Sequence, residues 1–156
     1  MTEPKSLITD EHRALIGKTS PPRILTINAE DALRMRDVIG DRDPRWADGT
    51  GNAPPYAIAS ITGGPMRGAP TPRILPGGIL TAQEWRFTRF FKLGETISAV
   101  QQLVDIRDRL GGRYGYSILM TTATDYYDAE GNHIAASLNT ATQFDPAGAR
   151  SREGGN

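Results

Sequence analysis

The sequence predicts an α+β domain in which one curved antiparallel β-sheet wraps around a central helix. Three observations carry that expectation. Residues 80–92, 95–109, 114–128 and 133–144 form four long segments rich in β-branched and aromatic residues, and turn chemistry separates them at Leu93-Gly94, Gly111-Gly112 and Glu130-Gly131-Asn132. Only one strongly apolar helix candidate is available to be wrapped, over residues 54–61. At 156 residues the chain suits one domain with a substantial core and is too short for two ordinary ones.

The elements follow in order. Residues 10–16 form a short amphipathic helix candidate closed by Gly17, within an N-terminal segment spanning residues 1–18. A short strand over 23–27 follows, opening the main domain at residues 19–145. Asn28 then caps a helix whose first turn carries Glu30 and Asp31, acids set against the positive end of the helix dipole. Ala32, Met35 and Ile39, with Leu33 adjacent, give it an inward stripe, and Gly40 stops it. Between residues 49 and 78 the composition changes, with 13 of 30 residues Gly or Pro, so regular structure is excluded over most of that stretch. The helix candidate at 54–61 is its exception, because Pro54 and Pro55 stand where missing amide donors cost nothing. Residues 63–72 read as a mobile loop. The four strands then form an antiparallel meander. Alternation places Tyr116, Ile118, Met120, Thr122, Thr124 and Tyr126 on one face of the third, and Ile134, Ala136, Leu138, Thr140, Thr142 and Phe144 on one face of the fourth. The polar tail at 146–156 is expected to be disordered.

Composition excludes several function classes. Eighteen basic residues balance eighteen acidic ones, so no global field steers the chain toward nucleic acid. The absence of cysteine removes disulfides and thiolate metal sites. Asp41, Asp43 and Asp48 are too few oxygens for a hard cation, which wants six or more converging ligands, so no metal site is expected. Residues 1–10 lack an apolar core of signal-peptide length, and no run approaches the ~18 apolar residues of a membrane span. The expectation is a cytoplasmic protein with no membrane contact.

Several motifs succeed one another in a telling order. A helix is followed by Gly40-Asp-Arg-Asp-Pro-Arg-Trp-Ala-Asp48 and then by Ala53-Pro-Pro-Tyr56. Leu75-Pro-Gly-Gly-Ile-Leu80 leads into Gln83-Glu-Trp-Arg-Phe87, Lys92-Leu-Gly-Glu-Thr96 and finally Tyr126-Tyr-Asp-Ala-Glu-Gly131. Across residues 12–144 this order resembles the MaoC-like hot-dog family of (R)-specific enoyl-CoA hydratases and 3-hydroxyacyl-thioester dehydratases, in particular its N-terminal, degenerate repeat. In that family Lys92–Thr96 corresponds to a Gly-Asp-Thr turn joining a strand pair, and the final motif to the last hairpin turn.

The resemblance implies a chemistry and also its loss. Catalytic members carry Asp-x-Asn-Pro-x-His after the helix, and the Asp and His flank an unsaturated thioester to or from which water is added or removed. A base must activate water, a proton must reach the α-carbon, and charge developing on the thioester oxygen must be stabilised, for which amides at the start of the central helix can serve. The matching hexapeptide here is Asp41-Arg42-Asp43-Pro44-Arg45-Trp46. Trp46 stands in the histidine position, and an indole N–H only donates. The resemblance therefore implies a non-catalytic subunit with Asp41 as a vestigial carboxylate. It would pair with a separate hot-dog subunit carrying the intact motif, the two sheets running on into one another. Coenzyme A or carrier-protein thioester enters as substrate, with no further cofactor. Steroid side-chain and long-chain acyl groups both stay open, as does loosening of the central helix to admit a bulky acyl group.

Candidate substrate contacts are Trp46, Tyr56, Trp85, Arg86 and Arg89, each with a plainer alternative. Asp41 also reads as a turn residue after a helix, and Trp46 as a core or interface filler. Arg86, Arg89 and Lys92 either grip a coenzyme A phosphate or protect a solvent face. Gly77-Gly78 either cradles an oxyanion or lets the chain turn into a strand. His12 and His133 read as solvated residues, and neither replaces the missing histidine by spacing. Three further readings stand beside the leading one: a homodimeric hot-dog protein that binds acyl-CoA, an active homo-oligomeric hydratase or thioesterase using Asp41, and a cone-shaped helix-plus-sheet ligand-binding fold.

Overall fold

The computed structural model describes residues 5–60 and 68–148. The first helix, α1 (Asp10–Arg13), is capped by Thr9 and is shorter than expected. Its continuation to Gly17 consists of tighter turns in which Leu15 and Ile16 donate to His12 and Arg13. After strand β1 (Arg23–Thr26), Asn28 accepts from the Asp31 amide and starts α2 (Ala29–Ile39). Gly40 ends that helix at φ 73°, a left-handed conformation that glycine adopts without steric cost.

The buried face of α2 differs from the expected stripe. Ala32 and Arg36, one turn apart, are buried, whereas Val38 and Ile39 are exposed. An arginine occupies the inward face because its guanidinium is needed there, as the site below makes clear.

Sheet order is β1-β3-β4-β5-β2, antiparallel throughout, with β2 (Gly77–Phe87), β3 (Thr96–Arg109), β4 (Ser117–Tyr127) and β5 (His133–Phe144). The expected meander holds for β3, β4 and β5 only. β2 does not pair with β3 across Leu93-Gly94; it lies at the far edge against β5. The reason sits in residues 88–95, which leave the sheet at Phe87. Phe91 is completely buried, and its backbone carbonyl accepts from the Ala53 amide. Gly94 does form a turn, at φ 75°, but it leads back to β1 by donating to Ile27. The segment thus crosses from one sheet edge to the other, with Phe91 as its anchor.

One face of the sheet is covered by the helical segments. The faces expected for β4 match, with Ile118, Met120, Thr124 and Tyr126 buried. For β5 the covered face is the opposite one. Tyr126 pairs with Ala135, Thr124 with Ser137, Thr122 with Asn139 and Met120 with Ala141, so from Ala135 onward the odd-numbered residues of β5 point inward and Leu138 is exposed. The register shift beside Tyr127 leaves Ile134 buried and His133 exposed. Small and polar side chains fill that inner face, which hid it from a hydrophobicity pattern.

The helix over residues 54–61 is a six-residue 3-10 helix, Pro55–Ser60. The Ala57 amide bonds the Pro54 carbonyl, a tight spacing that the paired prolines favour. Expectations for residues 61–67 and for the tail from 149 lie outside the described residues; residues 68–72 have no regular structure. The buried apolar residues form two clusters under the sheet. One joins Leu25, Ile27, Ala32, Ala57, Phe91, Tyr126 and Ala135, and the other joins Ile8, Leu103, Ile106, Ile118 and Met120. Among the described residues, no helix is long and apolar enough to cross a membrane.

Candidate functional site

The segment after α2 is held by its own side chains. Asp43 accepts from the Arg45 amide and starts a single 3-10 turn, Pro44–Trp46, with proline at a position that needs no donor. Arg36, inside the helix face, donates to the Trp46 carbonyl at 3.1 Å and to Asp48 at 2.8 Å, and its other nitrogens reach Asp37. A buried charge is tolerable only when so paired. Sequence reasoning missed Arg36, although its position four residues after Ala32 places it on the buried stripe.

Asp41 is the centre of the arrangement. One carboxylate oxygen accepts from the Trp46 indole at 2.8 Å and from the Tyr56 hydroxyl at 2.8 Å. The other accepts from the Asp43 amide at 3.0 Å. These donors, the Asp43 amide foremost and then Tyr56, hold the Asp41 carboxyl below the usual carboxylate range. Burial, together with the Asp41 charge beside it, pushes the Tyr56 phenol up to about 12. The Trp46 ring is buried, edge-on to Phe90 at 5.5 Å, with the Arg45 guanidinium 4.6 Å above its face. Asp41, Trp46 and Tyr56 thus form one cluster, and neither nitrogen nor oxygen donor in it exchanges a proton near neutral pH.

The other candidates lie apart. Trp85 is on the inner face of β2, stacked on Phe87 at 5.8 Å and Tyr126 at 5.5 Å. Arg86 is on the outer face, exposed and paired with Glu84 at 2.8 Å. Arg89 is in the crossing segment, where it pairs with Glu95 and, at 3.7 Å, with Asp128. Burial works against the Glu95 charge, yet Arg89 and the Lys92 amide hold its carboxyl below its ordinary value. Arg89 thereby ties the crossing segment to the β4–β5 turn. His133 sits on the sheet surface with Nε2 2.9 Å from Asp125. The Asp41–Tyr56 bond spans fifteen residues and left no spacing signal.

A cavity of about 420 Å³ opens on the inner face between the two apolar clusters, floored by Met120, Thr122, Asn139 and Ala141 and bounded by Gly78 and Leu80 of the edge strand. Its size falls within the range of small-molecule sites. Strand β2 is exposed along most of its eleven residues, so one side of its backbone has no neighbouring strand among the described residues.

Comparison with known proteins fixes the family. The structure is similar to a chain of the ChsH1-ChsH2 complex from Mycobacterium tuberculosis, with a TM-score of 0.69, 21% identity and coverage of 88% of this chain and 94% of that one. It is similar to a chain of the C-terminally truncated HadBC (3R-hydroxyacyl-ACP dehydratase) complex from the same organism, with a TM-score of 0.59, 10% identity and coverage of 82% and 96%. The unliganded R-hydratase PhaJ1 from Pseudomonas aeruginosa gives 0.53 at 16% identity, covering 83% and 82%. These likenesses establish the hot-dog fold. No curated protein matches the chain in sequence. The profile of the FAS1-like dehydratase domain region matches residues 14–137, more than three quarters of the molecule, and the chain belongs to that dehydratase family.

Proposed function

We propose that the chain is a non-catalytic, substrate-shaping subunit of a heteromeric enoyl-thioester hydratase or 3-hydroxyacyl-thioester dehydratase. Its partner would be a hot-dog subunit carrying Asp-x-Asn-Pro-x-His. The observation that carries this reading is the engagement of Asp41 by three hydrogen-bond donors. General acid–base work needs a group that titrates near working pH and has a free lone pair aimed at the reacting atom. Asp41 has three donors on its two oxygens, and its basicity is reduced. Trp46 cannot accept a proton, and Tyr56 holds its own to about pH 12.

Two further features support the reading. Pro54 and Pro55 remove the backbone donors at the start of the short central helix, where the family resemblance expects oxyanion stabilisation. The open β2 edge supports side-by-side pairing, since an exposed strand of that length is a template for another strand. The cavity adjoins that edge, so a partner seated there would share its wall. The ChsH1-ChsH2 and HadBC structures are both complexes, which supports a paired arrangement.

The purified chain alone should give no turnover of trans-2-enoyl-CoA above the buffer rate, whereas co-expression with its catalytic partner should give a stable, active complex. Turnover by the lone chain at ordinary enzymatic rates would overturn the assignment, and its loss in Asp41→Asn would assign that chemistry to the carboxylate. The cavity also favours a second reading, a homodimer that binds acyl-CoA without turnover. A ligand-binding homodimer that recruits no partner would decide for it.

A further inference from the structure

Three amide side chains stand on the inner face of the sheet near the cavity, and they are not equivalent. Gln143 is saturated, since its oxygen accepts from the Ile74 and Leu75 amides and its nitrogen donates to the Pro72 carbonyl. The Gln101 oxygen accepts from the Ala69 amide at 2.9 Å. Between them in the cavity wall, Asn139 has its Oδ1 buried and without a hydrogen-bond partner among the described residues. A buried acceptor left unpaired costs free energy, and a native fold keeps one where something else completes it.

Its surroundings say what that something is. Asn139 faces Thr122 across the β4–β5 register, and Met120 with Ala141 forms the next rung toward the apolar cluster. The cavity therefore has a hydrocarbon-compatible floor interrupted by one amide and one hydroxyl. The terminal torsion of asparagine is broad, so a modest rotation turns Oδ1 into the cavity. A saturated hydrocarbon chain there would leave the amide unpaired, and a ketone, which only accepts, would not satisfy Oδ1. A hydroxyl group donates to Oδ1 and keeps lone pairs for the amide nitrogen or Thr122.

Resting on the acyl-thioester reading above, we propose that Asn139 is a specificity-determining residue that recognises a hydroxyl group carried on the acyl chain, remote from the thioester. The ligand class is then hydroxylated acyl thioesters rather than plain fatty acyl groups.

The test is calorimetric titration of the full-length protein, with any co-purifying partner retained. The probes are dodecanoyl-CoA and its monohydroxylated isomers, with the hydroxyl placed at successive carbons from mid-chain to the end. One isomer should bind about tenfold more tightly than the parent chain, and Asn139→Leu, similar in volume, should abolish that preference while leaving the parent chain bound. Asn139→Ala, which adds no atoms, gives the same reading should the leucine variant fail to fold. If wild-type protein binds the parent chain as well as every isomer, or either folded variant keeps the preference, the inference fails while the acyl-thioester reading stands, and the amide is completed by water. If no acyl-CoA binds at all, both fail together.

Discussion

Phe91→Ala tests the crossing segment that organises the whole site. Phe91 is completely buried, meets Phe87 and Tyr126 edge-on with centroids 5.8 Å and 6.3 Å away, and fixes Ala53 three residues before Tyr56. Truncating a buried phenylalanine loses its transfer free energy and leaves a cavity, together about 3–5 kcal/mol. That is a large share of the roughly 5–15 kcal/mol by which a domain is stable. At about 2–4 °C per kcal/mol for a domain of this size, the melting temperature should fall by about 6–20 °C. Urea denaturation followed by circular dichroism measures the loss, and an unchanged slope would show that the unfolded reference is the same. Val38→Ala, at a site 82% exposed, is the control and should stay within about 0.5 kcal/mol of wild type. A Phe91→Ala loss below about 1.5 kcal/mol, outside the cited range for buried aromatic truncations, would refute the claim that this ring anchors the crossing.

The remaining expectations concern the cluster and the edge strand. Because the folded pKa of Tyr56 is raised to about 12, its contribution to stability is full below the ordinary tyrosine value near 10 and is lost as pH rises through about 12. Alkaline absorbance titration should show one phenol ionising around 12 that disappears in Tyr56→Phe. For Asp41 the sign is opposite: its pKa is lowered, so its contribution is present above the ordinary carboxylate value near 3.9 and is lost as pH falls through the depressed one. Asp41→Asn should therefore flatten the acid limb of the stability curve and leave turnover by the assembled complex unchanged; a large loss of turnover would return Asp41 to the chemistry. Gly77→Ala puts a Cβ 2.8 Å from the Phe144 carbonyl oxygen and 2.9 Å from its ring, and should destabilise by about 1–3 kcal/mol in thermal melts. Gly78→Ala, with nothing within 4 Å, should be nearly neutral.

How far the sequence revealed the molecule depends on the range of the interactions. Local chemistry was legible: Asn28 and Gly40 cap α2, and β5 keeps its expected bounds of His133–Phe144. The hexapeptide at 41–46 was also legible, since one tight turn brings the Trp46 indole to Asp41. Non-local pairing was not. Leu93-Gly94 has turn chemistry, but a turn says nothing about which strands flank it, and the burial of Phe91 sends β2 to the opposite edge. The inner face of β5 was misread because alternation follows hydrophobicity, and Ser137, Asn139 and Gln143 point inward instead. Tyr56 was visible as an aromatic residue but not as a donor to Asp41. Fold-level distance, not local spacing, sets that bond.

Trp46, standing where the family resemblance expects a histidine, changes more than one hydrogen bond. An imidazole accepts from one neighbour and donates to another, so its carboxylate partner orients it without being saturated. An indole has a single donor, which here ends on Asp41, and the Tyr56 hydroxyl and Asp43 amide take two more of the carboxylate's roughly four acceptor sites. Each of those bonds also ties down backbone: the post-α2 turn through Trp46, and the start of the central 3-10 helix through Tyr56. The same residues thus give local order around Asp41, while β2 is left exposed with a cavity beside it. On the subunit reading proposed above, such an arrangement suits a chain that shapes a site whose reacting groups stand on its neighbour.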